Sequence, residues 1–331
     1  MSALTHDTPL GDTGTEPAAT RLTAGLAFAV VSAVSFGMAG GLARGLIEVG
    51  WSPGAMTLVR VSLAAVALTP FGLTAMRGRW RLLRGNLGLL VIYGVVAVAG
   101  AQFCYFSAVQ HMQVGPAILI EFTAPAAVVV FLWLRHGQRP GRMTLAGAGL
   151  AALGLVLVLD LVSGADLSVR GVLWSLGAML GCATYFIISA DEDNGLPPLV
   201  LAWGGLLVGA VGLGLLGLVG LLPMRASTAS ASYAGMDVAW WAPLAVLGLV
   251  SAALAYVAGI AAGRRLGSRL ASFVALLEVV ASVCWAWLLL GQLPGAVQLL
   301  GGALILAGVV AVKAGERSVT VGVPDRTSRA T

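Results

Sequence analysis

Three ionisable side chains stand inside apolar segments of the sequence, where a charge is costly. Arg60 lies in MTLVRVSLAA, Glu121 in AILIEFTAP and Glu278 in VALLEVVAS. A charge at the centre of a membrane-spanning helix costs at least about 2.5–3.5 kcal/mol, so such a residue usually faces a polar cavity or a partner. A guanidinium and two carboxylates can bind a carboxylate, an ammonium group or a proton. These three residues are therefore the first candidates for the chemistry of the protein.

The composition indicates that these charges are surrounded by lipid-compatible helices. Of 331 residues, 59% are hydrophobic and 10% are charged, and the mean hydropathy is +0.95. A soluble domain carries about 25% charged residues. Apolar runs of about 20 residues without dyad alternation predict helices that cross a bilayer, and no strands are expected. The predicted fold is an all-α integral membrane protein with ten transmembrane helices, at residues 22–46, 54–76, 87–109, 114–134, 143–162, 171–190, 197–222, 240–262, 269–290 and 295–313.

The distribution of basic residues orients this chain in the membrane. Fifteen arginines and lysines fall in the tails and in the linkers after predicted helices 2, 4 and 8, against three on the opposite side. The positive-inside rule therefore predicts that both termini are cytoplasmic. The polar segments 1–20 and 314–331 are expected to be disordered cytoplasmic tails. Arginine replaces lysine almost throughout, a bias typical of GC-rich bacterial genomes, so the expected location is a bacterial inner membrane.

An internal repeat divides the apolar region into two units, predicted at residues 21–162 and 163–313. A shift of 154 residues places PGRMTLAGAGLAALGLVLV, from Pro140, on PGAVQLLGGALILAGVVAV, from Pro294, and Gly94 on Gly248 without a gap. Each unit would hold five helices, and an odd number means that the second copy enters the membrane from the opposite side. This predicts a five-plus-five inverted repeat, an architecture that places the binding site near the midplane at the repeat interface.

The sequence resembles the EamA-type family of the drug/metabolite transporter superfamily. The resemblance covers about residues 22–313 and is carried by the run LLEVVASVCWAWLLLGQLPGAVQLLGGALILAGVV near the C-terminus, and by Arg60 in MTLVRVSLAA. The chain departs from the family pattern at Val279, where proline is usual, and at Gln292, where glutamate is common. In the first unit Pro125 keeps the proline and Gln138 replaces the acid. The resemblance implies a carrier of small metabolites, often an exporter, and names no cargo.

The depths of the three charges along their helices indicate different roles. At about 1.5 Å per residue, Arg60 lies roughly 9–10 Å and Glu121 roughly 10–11 Å below the outer surface, so an ion pair is expected. This pair would face an anion or a zwitterion. Glu278 lies roughly 13–14 Å from the cytoplasmic side, with no cation predicted at its depth. A desolvated carboxyl group without a cation binds a proton readily, so Glu278 is the predicted proton-coupling residue.

The repeat shows that the two glutamates are not equivalent positions. Under the 154-residue shift Glu121 falls on Ala275 and Glu278 on Ala124, so the carboxylates stand three residues apart. Because three residues is nearly one helical turn, both are expected to point at one cavity. The structural alternative is that each carboxyl group is protonated and only fixes helix packing. Arg60 could likewise snorkel or join helix 2 to helix 4.

Polar and aromatic side chains in other spans are further candidates for lining the cavity. Each could instead serve packing or interhelical hydrogen bonding, although the repeat places Tyr256 at the position of Gln102. The candidates are Gln102, Tyr105, Tyr185, Trp203 and Tyr256.

Small residues in the predicted spans favour close approach between helices. The series Gly147, Gly149 and Gly154 in the first unit is answered by Gly301, Ala303 and Gly308 in the second. Faces of this kind can pack tightly or slide, and sliding is useful for alternating access.

Together these features predict a secondary active transporter, a proton-coupled exporter of small metabolites, amino-acid-like compounds or drugs. The expected partners are the small-molecule substrate, protons and the bilayer, with no nucleic acid, metal or cofactor, in a monomer or homodimer. No nucleotide-binding motif appears, so an ion gradient would drive transport. An enzyme is not expected, because the three histidines (His6, His111 and His136) lie outside the predicted spans and form no catalytic motif. A facilitative carrier or channel without proton coupling is the alternative.

Overall fold

The structure, a computed structural model, is built almost entirely from helices. It describes residues 18–78, 80–124, 127, 141–158, 168–190, 195–259, 261–262, 265–266 and 276–315. The first seven helices are α1 (Ala18–Glu48), α2 (Pro53–Ala75), α3 (Trp80–Gly85), α4 (Leu87–Ile92), α5 (Ala101–His111), α6 (Val114–Glu121) and α7 (Arg142–Val158). The next five are α8 (Val169–Ala190), α9 (Pro198–Leu218), α10 (Trp241–Ala245), α11 (Leu277–Leu290) and α12 (Ala296–Gly315).

Among the described residues, six continuous helical segments are long and apolar enough to cross a membrane. They are Leu22–Glu48, Pro53–Ala75, Leu87–His111, Val169–Ser189, Leu199–Leu218 and Trp241–Gly259. Three further apolar helices are shorter, at Arg142–Leu157, Leu277–Leu290 and Ala296–Ala311. The second half of the predicted span 114–134 and the first residues of 269–290 lie outside the described residues, as do Pro125, Gln138, His6 and His136. The mostly helical membrane fold is therefore present, and the count of ten spans stays a prediction.

The expectation that the chain forms no strands was wrong. The linker between α9 and α10 contains an antiparallel hairpin of β1 (Ala231–Tyr233) and β2 (Met236–Val238). Its turn residues Ala234 and Gly235 have φ angles of 50° and 77°, the sign that a two-residue hairpin turn requires at both positions. Strands of three residues are too short to show an alternating pattern in the sequence. Helix α1 begins at Ala18, so residues 18–20 of the segment expected to be a tail are helical, and residues 1–17 lie outside the described residues.

The hairpin ties the ends of two helices together. The Tyr233 hydroxyl donates a hydrogen bond of 2.7 Å to the carbonyl of Leu42 in α1, and its ring lies on Gly45, where a Cβ would collide with it. The backbone N–H of Ala234 donates to Leu289 of α11 at 2.8 Å. Burial raises the pKa of Tyr233 above its ordinary value. We call this side of the bundle the hairpin end.

The same linker also holds the start of α2. The Ser52 side chain accepts from the Ala55 N–H at 3.3 Å, which caps the helix, and its hydroxyl donates to Pro223 at 2.6 Å. Pro53 follows at the first helical position, where its missing N–H costs nothing. The indole N–H of Trp51 donates to Ser227 at 2.8 Å. The linker therefore covers the hairpin end across α1, α2 and α11.

Gln292, which departs from the resembling family's pattern, joins α11 to α6. Gly291 ends α11 with a φ of 68°, and its N–H donates to the carbonyl of Trp287 at 2.9 Å. The next side chain, Gln292, accepts a 3.3 Å hydrogen bond from the N–H of Val114, the first residue of α6. A neutral amide oxygen here satisfies one of the free N–H groups of the helix.

Two π-helical segments occupy the same position in the two predicted repeats. The first, π1 (Tyr93–Gly100), joins α4 to α5, and the second, π2 (Val246–Leu254), follows α10. A shift of 154 residues moves the range 93–100 onto 247–254, which lies within π2. Hydrogen bonds in a π-helix run from i to i+5, and such segments occur mostly at functional sites. The wider turn is a shared feature of both halves.

Glycines of α7 and α12 make contacts that are reciprocal under the same shift. A Cβ on Gly154 would lie 2.5 Å from the carbonyl oxygen of Gly301, and a Cβ on Gly308 would lie 2.6 Å from that of Gly147. The shift moves Gly154 onto Gly308 and Gly147 onto Gly301, so one contact maps onto the other. Reciprocal contacts of this kind are those that a local two-fold relation between the two helices produces.

We expect Gly308→Ala to destabilise the protein, while Gly149→Ala leaves it as stable or slightly more stable. At Gly308 the new Cβ would also lie 2.6 Å from the backbone nitrogen of Ala151, whereas at Gly149 nothing lies within 4 Å. Overpacking against backbone costs about 1–3 kcal/mol of unfolding free energy. Apparent Tm values in detergent measure the difference. Equal Tm values for the two variants would contradict the packing described.

Candidate functional site

A small cavity brings together the three charges that the sequence placed in apolar segments. The cavity volume is about 20 Å³, which is room for about one water molecule. The cavity lies between two hydrophobic clusters, one holding Ala39, Tyr105 and Ile118 and the other holding Tyr256. Its lining residues come from α1, α2, α5, α6 and α11, and they are Phe36, Ala39, Arg60, Gln102, Tyr105, Ile118, Glu121 and Glu278.

Arg60 is held in place by neutral oxygen atoms. The residue is 1% exposed, and its Nη1 donates to the Gln102 side-chain oxygen. Its Nη2 donates to the backbone carbonyl of Ser251 at 2.7 Å and to the Ser251 hydroxyl at 3.3 Å. The guanidinium also lies 5.4 Å from the ring centroid of Phe106, within the range of a cation–π contact. Within the part of the chain that the structure describes, the guanidinium is thus bonded to neutral acceptors and to no carboxylate.

Glu121 and Glu278 line the same cavity and are both partly buried. Glu121 is the last residue of α6, and Glu278 lies in the first turn of α11. Among the described residues, no ion pair within 4.0 Å joins Arg60 to either carboxylate. The expected direct pair of Arg60 with Glu121 is thus absent from this conformation, because the guanidinium already donates to Gln102 and Ser251. The two carboxylates face one cavity, as their spacing in the repeat predicts.

Two of the five additional candidates line the cavity. Gln102 faces it while accepting from Arg60, and Tyr105 faces it with a side chain that is 4% exposed. Both are on α5, three residues apart and therefore on one face of the helix. Gln102 fixes the guanidinium, and the Tyr105 hydroxyl is a further polar group in the wall.

The other three candidates lie outside the residues that line this cavity. Tyr256 packs edge-on against Phe36 at a centroid distance of 5.1 Å, and Tyr185 is 6.3 Å from Tyr256. Tyr93 continues this aromatic cluster at 6.1 Å from Tyr185. Trp203 is elsewhere, where its indole N–H donates to Thr69 at 3.1 Å. Tyr256 thus supports the cavity wall through Phe36.

Ser251 is buried and binds Arg60 through two atoms, and it is not among the residues that the sequence predicts for the site. Ser251 lies inside π2, where the hydrogen bonding departs from the i to i+4 pattern of an α-helix. A lone serine in the run VLGLVSAAL gives no signal of such a role. Its position in the repeat is a signal, because the 154-residue shift moves Ala97 of π1 onto Ser251 of π2. Ser251 is therefore the polar residue of an equivalent pair.

The site suits binding of charged groups better than covalent chemistry. Its ionisable groups are one guanidinium and two carboxylates, a set that complements a molecule carrying both an ammonium and a carboxylate. Among the described residues no group of three His, Cys, Asp or Glu side chains could hold a metal ion. The cavity therefore presents groups that can bind the charged ends of a small polar solute.

The family model of the EamA-like transporter family matches residues 23–160 and again residues 169–313. The chain therefore belongs to the EamA-like transporter family, and it is a multi-pass membrane transporter.

Several curated proteins are similar to this chain over most of their length. One, described as "Probable terminal-alkyne amino-acid exporter" from Streptantibioticus cattleyicolor, is 26% identical over 269 residues, covering 80% of this chain and 84% of the relative. The threonine/homoserine exporter RhtA of Escherichia coli K12 is 28% identical over 279 residues, covering 81% and 84%. An uncharacterized transporter of Archaeoglobus fulgidus is 27% identical over 286 residues, covering 86% and 95%.

A solved crystal structure shares the fold, with a TM-score of 0.58 and 20% sequence identity. The alignment covers 89% of this chain and 98% of that one. The fold of the described residues is thus one that occurs in an experimentally determined protein.

We expect Gln102→Leu to lower the stability of the protein by about 1.5–3 kcal/mol, because it removes an acceptor from a buried charged donor. Gln113→Leu is the matched control, since Gln113 has an exposed side chain just before α6. Apparent Tm values in detergent compare the two variants. A Gln102→Leu protein as stable as Gln113→Leu would mean that the hydrogen bond to Arg60 does not support the fold.

Proposed function

We propose that this protein is a secondary active transporter that exports a small, amino-acid-like zwitterion in exchange for protons. The substrate binds in the cavity lined by Arg60, Glu121 and Glu278, and Glu278 carries the coupled proton. The observation that carries the proposal is the convergence of one buried guanidinium and two carboxylates from three helices on one cavity. Buried ionisable groups in a membrane protein mark substrate or proton pathways by default.

The charges of the cavity support a zwitterionic substrate. Arg60 is fixed by Gln102 and Ser251, so its charge is available to the carboxylate of a bound solute. Glu121 and Glu278 supply the negative counterpart for an ammonium group. The names of the two exporter relatives, for terminal-alkyne amino acids and for threonine and homoserine, agree with a substrate of this class.

The proton cycle follows from competition at the carboxylates. With no substrate bound, two carboxyl groups and one guanidinium share a desolvated cavity, and a proton on Glu278 removes the excess negative charge. An arriving ammonium group favours the ionised form of Glu278, so the proton leaves towards the cytoplasm. After the substrate departs on the other side, Glu278 takes up a proton there. The proton thus moves inward as the substrate moves outward.

Features shared by the two halves support alternating access. The π-helical segments at equivalent positions and the reciprocal glycine contacts of α7 and α12 fit a five-plus-five inverted repeat of ten spans. In this arrangement residues 21–162 and 163–313 are the two repeat units. The positive-inside rule then places both termini in the cytoplasm and the hairpin end outside. In this orientation the linker between α9 and α10 covers the outer ends of α1, α2 and α11.

The alternative is a facilitative carrier or channel that moves the same solute without protons. Counterflow in proteoliposomes separates a carrier from a channel. In vesicles preloaded with unlabelled L-threonine, a carrier accelerates the uptake of labelled L-threonine, whereas a channel shows no such trans-stimulation. A proton-coupled carrier also concentrates the solute when a pH gradient is imposed without any solute gradient. Counterflow without pH-driven accumulation would overturn the proton coupling in favour of a facilitative carrier, and absence of both effects would overturn the proposal as a whole.

We expect Glu278→Gln to abolish pH-driven accumulation of L-threonine while retaining counterflow exchange, because glutamine keeps the size and polarity of the side chain but cannot release a proton. Accumulation is measured in proteoliposomes with an imposed pH gradient, and exchange is measured at equal pH. Glu48→Gln is the control, because Glu48 is an exposed carboxylate that pairs with Arg44 at the hairpin end. An unchanged response of Glu278→Gln to the pH gradient would rule out Glu278 as the coupling group.

A further inference from the structure

Two buried hydroxyl groups near the cavity lie close enough to interact with each other, and neither has a hydrogen bond within 3.5 Å among the described residues. They belong to Tyr105, which is 4% exposed, and to Ser282, which is 0% exposed. Leaving a buried hydroxyl unpaired is costly, and most buried polar groups in folded proteins are paired. Ser107, on the same helix as Tyr105, shows the usual arrangement, with its hydroxyl donating to Phe103 at 2.7 Å.

One of the two hydroxyls lines the cavity, and the other lies directly behind it. Tyr105 lines the cavity, and Ser282 follows Glu278 by four residues on α11, which places both on one face of that helix. Glycines of α1 let that helix approach both residues closely. A Cβ on Gly40 would collide with the Tyr105 hydroxyl, and a Cβ on Gly37 would lie 2.8 Å from the backbone nitrogen of Ser282. Helices α1, α5 and α11 thus meet at the hydroxyls of Tyr105 and Ser282.

The two hydroxyls recognise different chemical groups from the charged residues beside them. Arg60 attracts a carboxylate, and Glu121 and Glu278 attract an ammonium group, so both charged ends of a zwitterion are already provided for. A hydroxyl can donate and accept, and a pair of hydroxyls can therefore hold a neutral group that does both. Such a group is a side-chain hydroxyl or amide on the substrate.

We propose that Tyr105 and Ser282 hydrogen-bond an uncharged polar group on the side chain of the substrate, so that the transported class is small zwitterions with a hydroxyl or amide. This inference rests on the proposed function, because it takes the cavity as the substrate site. A site built to hydrogen-bond a substrate hydroxyl rejects the analogue that lacks it, since its own buried groups are then left unpaired. The hydroxyl pair is therefore a specificity determinant, whereas the charged residues bind the backbone groups common to all amino acids.

The test compares L-threonine with L-valine, which has a methyl group in place of the hydroxyl. Uptake kinetics in proteoliposomes give kcat/KM for each. The unsubstituted protein is expected to prefer L-threonine by at least about 100-fold. Tyr105→Phe and Ser282→Ala are each expected to reduce this preference about tenfold, mainly through a higher KM for L-threonine at unchanged kcat. L-valine uptake should change by less than about twofold.

Ser107→Ala is the matched control, because it removes a buried hydroxyl that is already bonded within its own helix. It should leave the preference for L-threonine unchanged. Apparent Tm values check that each variant folds, and the shift of Tm by added L-threonine provides a second measure of binding. Loss of that shift in Ser282→Ala, with the unliganded Tm maintained, would support the inference.

The outcomes separate this inference from the proposed function. If the protein transports both amino acids equally, or if Tyr105→Phe and Ser282→Ala keep the full preference for L-threonine, the assignment of the hydroxyl pair is overturned and the transport site stands. If no neutral amino acid is transported or exchanged, the proposed function itself fails, and the inference fails with it.

Discussion

The cost of keeping a guanidinium charged inside an apolar bundle is the constraint on which the rest of the structure depends. Arginine cannot give up its proton in proteins, so Arg60 must be solvated by the protein itself. Two neutral groups accept hydrogen bonds from its guanidinium: the side-chain amide of Gln102 on α5 and the backbone carbonyl of Ser251 in π2. Because no carboxylate within 4.0 Å neutralises Arg60 in the described residues, its charge can act on a solute in the cavity.

These hydrogen bonds link Arg60 to parts of the chain that are far apart in sequence. Gln102 lies two residues after π1, and Ser251 lies within π2, so both halves of the predicted repeat contribute to one guanidinium. A change in either π-helical segment would move a hydrogen-bond partner of Arg60. The cavity is thus built where the two halves meet, and a rearrangement of one half relative to the other would alter it directly.

Much of this arrangement could be predicted from the sequence, and the failures have physical causes. Hydropathy predicts the long apolar helices, and the repeat predicts that Glu121 and Glu278 face one cavity, because both signals are periodic along the chain. Depth along a helix gives the height of Arg60 and Glu121 but not their lateral orientation, so the expected direct pair does not form in this conformation. The role of Ser251 depends on a π-helical turn, and the hairpin has only six strand residues. Neither feature produces a periodic hydrophobic pattern in the sequence.

The most direct test of the account is the number of protons released when a zwitterion binds to the purified protein. Calorimetric titration of L-threonine at one pH, in buffers of different ionisation enthalpy, measures this number without any transport step. The account predicts release of about one proton per substrate bound, because the ammonium group displaces the proton of Glu278. Binding of L-threonine without proton release would contradict the central claim that substrate and proton compete for one cavity.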